Sequence, residues 1–571
     1  MLCLCYLENS MRCRLYDKFR MPIVTYPKWT TTANYAHDSA GQITKWDYDG
    51  LNRLSKKTYG DGKSQTYAYG GGRLLATRDG RGLLTGFSYD ANGNLTGIDY
   101  PTQTDIALSY NALDKPLSMT DALGTTAFAY DNAGRLTSVD GPWQNDTLSY
   151  AYDAEGRRQS LNVQKPNGTN DSTGYGYDGL SRLASVTSSA GTFGYSYQGN
   201  TGRVTQLLMP NGTKTLYGYT ALGELASLHN QKSDGTNISR YAYSYDARGV
   251  RTALQEQIEA DPVKTLLFSY DVTGQLTGEQ VTGGNAGEAY TSSYQYDSAG
   301  NRTRLEKTNS AGATVARYSN NALNQTTAVK TQSGASTSGL SYDDAGNLAQ
   351  VTSAGGNTSY SFDDANRLTG LITKNAAGLN QTRQEFVYDG MSRLRISRNF
   401  TWQNNAWLSQ GETRRIYDGL NSVQERDGTG ALVATYTRGA DMGGGIGGLL
   451  SRSFSGSVSF MHYDGRGNVV QLSDAAGAVS GRYTYDAFGN TLSSTGGAAG
   501  LNPFRFSTKE HIAGLVYYGY RFYSPSLGKW INRDPLKEQG GTNLYRFVGN
   551  NPSNFIDPDG RFALNLIAAY G

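Results

Sequence analysis

The sequence predicts an all-β protein built as an array of stacked antiparallel β-hairpins, hollow or partly open rather than close-packed. Three observations carry that expectation. A heptad, clearest at Tyr130-Asp131-Asn132-Ala133-Gly134-Arg135-Leu136, recurs in variants that start at Tyr48, Tyr89, Tyr152, Tyr177, Tyr245, Tyr270, Tyr296, Tyr342, Phe362, Tyr388, Tyr417, Tyr463 and Tyr485. Successive starts lie about 20 to 26 residues apart, the spacing of an array made from one supersecondary unit. Tyrosines also precede the heptad at alternate positions, as in Tyr241, Tyr243 and Tyr245, and a period of two puts them on one strand face. Finally, apolar residues are only 37% while Gly (71) and Tyr (42) are in excess, which suits thin, twisted sheets better than a solid core.

Each part of the heptad has a physical task. The Asp accepts hydrogen bonds from backbone N–H groups two residues on and nucleates a turn. The Gly three positions after it supplies a positive φ, as in hairpin loops built on a type I turn. Leu then opens the return strand. Copies without the Asp, at Tyr69, Tyr110, Tyr197, Tyr219 and Tyr318, fill the gaps. Each repeat is one hairpin, stacked on its neighbours through tyrosine ladders.

Taken in order, residues 1–34 form an irregular leader without a basic n-region or a small-residue cleavage site. Cys3, Cys5 and Cys13 all fall there, at a spacing that fits no common zinc pattern, so neither a metal nor another cofactor is expected. Residues 35–440 are the repeat array, with longer hairpin tips at Gln255–Lys264 and Thr401–Thr413. Residues 441–500 hold a Gly-rich stretch, Asp441–Leu450, and the last two repeats. Gly443, Gly445 and Gly448 satisfy the spacing of a dinucleotide loop, but no strand–helix–strand context surrounds them, and the stretch reads as a bent crossover. Residues 501–561 are dense in aromatics, Arg and Pro, and 562–571 close the chain. Net charge is +3 with no basic stripe, so nucleic acid is not an expected partner; no run of about 18 apolar residues offers a membrane span.

The usual catalytic patterns are absent. His37, His229, His462 and His511 are scattered, and no H-E-x-x-H, C-x-x-C or G-x-S-x-G occurs. The one reactive set is acidic: Asp534 and Asp557, each followed by Pro, with Arg521 nearby. Two carboxylates held together cannot both ionise, so the pair can supply a base and an acid to one water. An arginine beside them biases the pair or stabilises a developing oxyanion. The 22 residues between the two carboxylates contain Gly540-Gly541 and Asn550-Asn551-Pro552, turn signals that fold the segment back on itself. The competing reading is structural, since Asp-Pro opens turns and Arg stacks on neighbouring tyrosines.

The heptads, together with Tyr518-Gly519-Tyr520-Arg521-Phe522-Tyr523-Ser524-Pro525, Arg533-Asp534-Pro535, Asn551-Pro552 and Asp557-Pro558-Asp559-Gly560, resemble the RHS-repeat (YD-repeat) family with its RHS repeat-associated core domain. The resemblance spans about residues 35 to 560 and includes the Gly-rich Asp441–Leu450. It implies a β-spiral shell closed by a C-terminal core-associated plug, enclosing a toxic C-terminal polypeptide. It further implies aspartate autoproteolysis by Asp534 and Asp557, assisted by Arg521, at the bond Arg561–Phe562. The family has Leu where this chain has Arg561. Residues 562–571 are expected to be the stub of an absent toxin region. A partner shell chain, secretion or surface display, and a role in bacterial competition complete the expectation. The alternative is a cell-surface adhesion module that binds carbohydrate or protein through its hairpin tips, without catalysis.

Overall fold

The computed structural model describes residues 34–37 and 43–570. The leader cysteines and most of the first repeat start, at His37 to Gly41, lie outside these residues. The rest is dominated by one ribbon of 41 strands, from Asn34–His37 to Thr491–Thr495, each antiparallel to its neighbours in the chain. Among the described residues the first strand pairs only with the second and the last only with the one before it, so the ribbon does not close into a barrel. The single α-helix among the described residues is the short Leu566–Tyr570.

The repeat at Tyr130 shows why the sequence folds this way. Asp131 accepts the amide of Arg135 on Oδ1 at 2.8 Å and its Nε on Oδ2 at 2.7 Å, while Gly134 N–H returns to Asp131 O at 2.8 Å. Gly134 has φ +76°, and the register shifts between Ala129 and Tyr130, which marks a bulged hairpin. Repeats without that Gly put Asn52, Ser181, Asn366 or Ser392 at positive φ instead. The Arg135 guanidinium then lies 4.8 Å from the ring centre of Tyr152, whose hydroxyl donates to Leu136 O at 2.8 Å. This turn is therefore locked by its Asp, and Tyr152 hooks onto the preceding hairpin. The same hook joins Tyr69 to Leu54, Tyr296 to Leu276 and Tyr388 to Leu368.

The ribbon winds back along itself. Thr102 donates to Asp364, Asp121 accepts from Gly390, Tyr150 donates to Asp418 and Asn211 donates to Ser473, contacts separated by 262 to 269 residues. These place one turn of a spiral upon the next.

Residues beyond the ribbon form a small sheet, Glu510–Ile512, Leu515–Tyr517, Phe522–Ser524 and Lys529–Trp530. Tyr518, Tyr523, Trp530 and Phe547 pack there into one buried cluster with Tyr241, Tyr243, Phe488 and Tyr485 of the repeats. The expected hollow character does not extend to this region, because the aromatic-rich segment adds its apolar surface to that of the repeats. Polar hooks fix it in place: Lys529 Nζ donates to Asn301 Oδ1 at 2.9 Å, Tyr545 donates to Gly346 O at 2.7 Å, and Glu538 pairs with the fully buried Lys57 at 2.5 Å.

Three sequence expectations need correction. Thr401–Thr413 is not a long tip: Leu394–Gln403 and Ala406–Asp418 are long strands joined by Asn404-Asn405 alone. Gln255–Lys264 is likewise mostly strand, with only residues 259–263 between Arg251–Ile258 and Lys264–Tyr270. The Gly-rich stretch is not a crossover, since the strands on either side, Leu432–Arg438 and Leu449–Phe454, pair with each other. Alternation continues through a lengthened hairpin, and sequence spacing cannot separate extra strand from extra loop.

Candidate active site

The three polar residues singled out by sequence come together. Arg521 lies just before the strand Phe522–Ser524, and Asp534 follows Trp530 by four residues. Asp557 stands at the root of a hairpin, because Phe555–Ile556 pairs with Leu564–Asn565. Residues 557–563 are the end of that hairpin, and Arg561 and Phe562 lie in it. The amide of Tyr520 donates to Asp559 O at 3.0 Å, tying the hairpin end to the arginine segment.

Arg521, Asp534 and Asp557 are all buried. Arg521 Nη2 is 2.8 Å from Asp534 Oδ2 and 3.9 Å from Asp557 Oδ2, so the guanidinium links the carboxylates, which share no direct hydrogen bond. Its Nε donates to Gly560 O and its Nη1 to Leu544 O, and its plane lies over Trp530 at 4.1 Å. Asp557 Oδ1 accepts three backbone amides, from Asp559 at 3.1 Å, Gly560 at 2.7 Å and Arg561 at 3.1 Å. Asp534 Oδ1 accepts the amide of Leu536 at 2.8 Å.

Burial pushes the Asp557 carboxyl up to about 6, with Arg521 pulling down and Asp559 pushing up. Burial also raises Asp534, against the pull of Arg521. The same desolvation lowers Arg521 in spite of its two partners. Burial thus disfavours the anion at both carboxyls, most clearly at Asp557, while the Arg521 guanidinium pulls each of them back toward ionisation.

Gly540 brings the hairpin end to Asp534. A Cβ at that position would stand 2.6 Å from Asp534 Oδ2 and 3.3 Å from Arg561 O. The two oxygens are therefore no farther apart than those distances together. Arg561 finds a partner of its own, with Nη2 2.6 Å from Asp559 Oδ2, and lies over Tyr520 at 4.0 Å. Phe562 is 45% exposed. Sequence reasoning missed Gly540, whose Gly-Gly pair signalled only a turn. It also missed Lys509, which donates to Pro558 O at 2.6 Å beside Asp557. A lone lysine in an aromatic segment carries no signal of that contact. His462 and His511 lie apart from this set as packing residues: His462 bonds Ser473 Oγ at 2.9 Å, and His511 accepts the amide of Phe506 at 3.3 Å.

The model of the teneurin YD-shell family matches residues 17–165 and 229–553. The chain belongs to that family. It is 28% identical to the tRNA3(Ser)-specific nuclease WapA of Bacillus spizizenii over 70% of this chain and 16% of that protein. It is 27% identical to toxin subunit YenC1 of Yersinia entomophaga over 48% of this chain and 29% of its relative. The chain thus spans well under a third of these curated relatives. Among solved structures, the crystal structure of TcdB2–TccC3 superposes with a TM-score of 0.74 at 18% identity, over 92% of this chain and 30% of that one. This likeness shows the fold: an RHS/YD-repeat shell of the kind found in toxin-related proteins.

Proposed function

We propose that this shell hydrolyses its own Arg561–Phe562 bond and so severs the covalent link to a C-terminal polypeptide in a toxin-delivery protein. The observation that carries the reading is the hairpin end itself. Asp557 gathers three of its amides, Arg521 holds Gly560 O, and Gly540 has Asp534 and Arg561 O both close to its α-carbon. In this reading Asp534, in closer contact with the guanidinium, takes a proton from water. The water oxygen adds to the Arg561 carbonyl carbon while protonated Asp557 polarises the carbonyl oxygen. Asp534 then returns that proton to the Phe562 nitrogen as the C–N bond breaks, and the remaining water proton passes from the new carboxyl to the amine, leaving a carboxylate on Arg561 and an ammonium on Phe562. Arg521 stabilises the charge that develops between the two carboxyls.

The relative named as a toxin subunit, and the one named as a tRNA-specific nuclease, support secretion or surface delivery and a fused C-terminal toxin as cargo. The two components of the TcdB2–TccC3 structure support a partner shell chain. The test is the full chain with a C-terminal tag, followed on a denaturing gel. The tag should leave the wild type and stay on Asp534→Asn, Asp557→Asn and Arg521→Met. A tag that stays on the wild type, or leaves all four equally, ends the proposal.

One observation favours the adhesion reading instead. The tip of the long hairpin carries Trp402 and Trp407 with ring centroids 5.0 Å apart, beside the 42% exposed Leu408. A glycan that binds the wild type and is lost in Trp407→Ala would support it; retained binding would count against it.

A further inference from the structure

The Gly-rich stretch and a buried lysine meet directly behind the hairpin end. Lys509 is 7% exposed, and its Nζ donates at 2.6 Å to two backbone oxygens, Gly444 O and Pro558 O. Gly444 has φ +60°, and a Cβ there would stand 1.8 Å from Pro558 O. Only glycine lets the two backbones approach this closely. The platform is itself fixed. The Asp441 carboxylate accepts the amides of Gly443 at 2.9 Å and Gly445 at 2.7 Å. Thr508, next to the lysine, accepts Gly447 N–H at 2.8 Å and donates to Gly467 O at 2.6 Å. One ammonium therefore ties the residue after Asp557 to a rigid part of the last repeats, across 49 residues of chain on one side and 65 on the other.

We propose that Lys509 is a positioning residue for the Asp557–Arg561 loop, clamping Pro558 to the backbone of Gly444. This deepens the self-cleavage reading and rests on it for its effect on rate. The charge matters as well as the hydrogen bonds. Lys509 faces Asp441, Asp557 and Asp559, with Arg438 opposing and the Tyr518 ring at 5.5 Å. Its cation favours the ionised form of Asp557, so its removal should raise the pH at which Asp557 titrates.

The clamp is tested by hydrogen exchange in the full-length Asp534→Asn chain, where the bond stays intact on either reading. Adding Lys509→Met should speed exchange of the 557–563 amides by about tenfold or more, while the distant hairpin Leu136–Asp140 with Leu148–Tyr152 stays unchanged. Unchanged exchange at 557–563 overturns the clamp. In the chain with both aspartates, Lys509→Met should slow cleavage by about a hundredfold, the scale of an ångström-level misplacement, and shift the upper pH midpoint upward. Gly444→Ala should slow it without moving that midpoint, because the ammonium remains. Wild-type rates in both variants overturn the proposal. If the wild type itself is not cleaved, the self-cleavage reading falls and the exchange result alone decides the clamp.

Discussion

Gly540 lies so close to Asp534 that any Cβ there would stand 2.6 Å from the carboxylate Oδ2. This contact makes a glycine that reads as a simple turn residue part of the candidate site. Gly540→Ala should push the carboxylate away from Arg561 O and slow cleavage by about tenfold to a hundredfold. The full chain should unfold at a temperature within a few degrees of the wild type, since the substitution leaves the neighbouring Glu538–Lys57 pair in place. Intact mass over time checks the first outcome and a thermal scan the second.

Asp557 sets a pH window. Its carboxyl is raised to about 6 by burial, and the proposed chemistry needs it protonated. Cleavage should therefore fall about tenfold per unit as pH rises above 6. The same shift bears on stability. A carboxyl raised in the folded chain contributes most below its ordinary value near 3.8, and that contribution is lost as pH rises through about 6. Asp557→Asn should stabilise the chain at pH 8 by up to about 3 kcal/mol, with no gain at pH 3. Denaturant midpoints at the two pH values check this; a gain at both would put its cause elsewhere.

The tyrosine hooks have a measurable worth. Tyr152→Phe removes one hydroxyl that donates to Leu136 O at 2.8 Å and leaves the ring over Arg135. The loss should be about 1 kcal/mol, the net worth of one hydrogen bond, seen in urea unfolding.

Cleavage alone should not release the C-terminal piece. Leu564–Asn565 remains paired with Phe555–Ile556, and Leu566 is buried beside Met442, Ile446 and Ile556. Native mass spectrometry should find residues 562–571 still bound, and denaturant should free them.

The repeats were legible because their logic is local. Asp131, Gly134, Arg135 and Leu136 carry their own turn, and Tyr152 repeats the signal one hairpin on. Arg521, Asp534 and Asp557 stood out through their motif, and the 22 residues between the carboxylates do fold back to bring both to Arg521. Gly444 and Lys509 were not legible. Their meeting with Pro558 depends on three distant segments packing together, and a glycine needed for close approach looks the same in sequence as one needed for a turn. The aromatic cluster around Tyr523 and Phe547 was visible as composition, but not as one buried cluster shared with the repeats.

The most direct test is the mass of the fragments after denaturation of freshly purified full-length protein. The account predicts two species, one ending at Arg561 and one beginning at Phe562, both absent from Asp534→Asn and Asp557→Asn. A single intact chain, a cut at any other bond, or the same cut in both variants would contradict it.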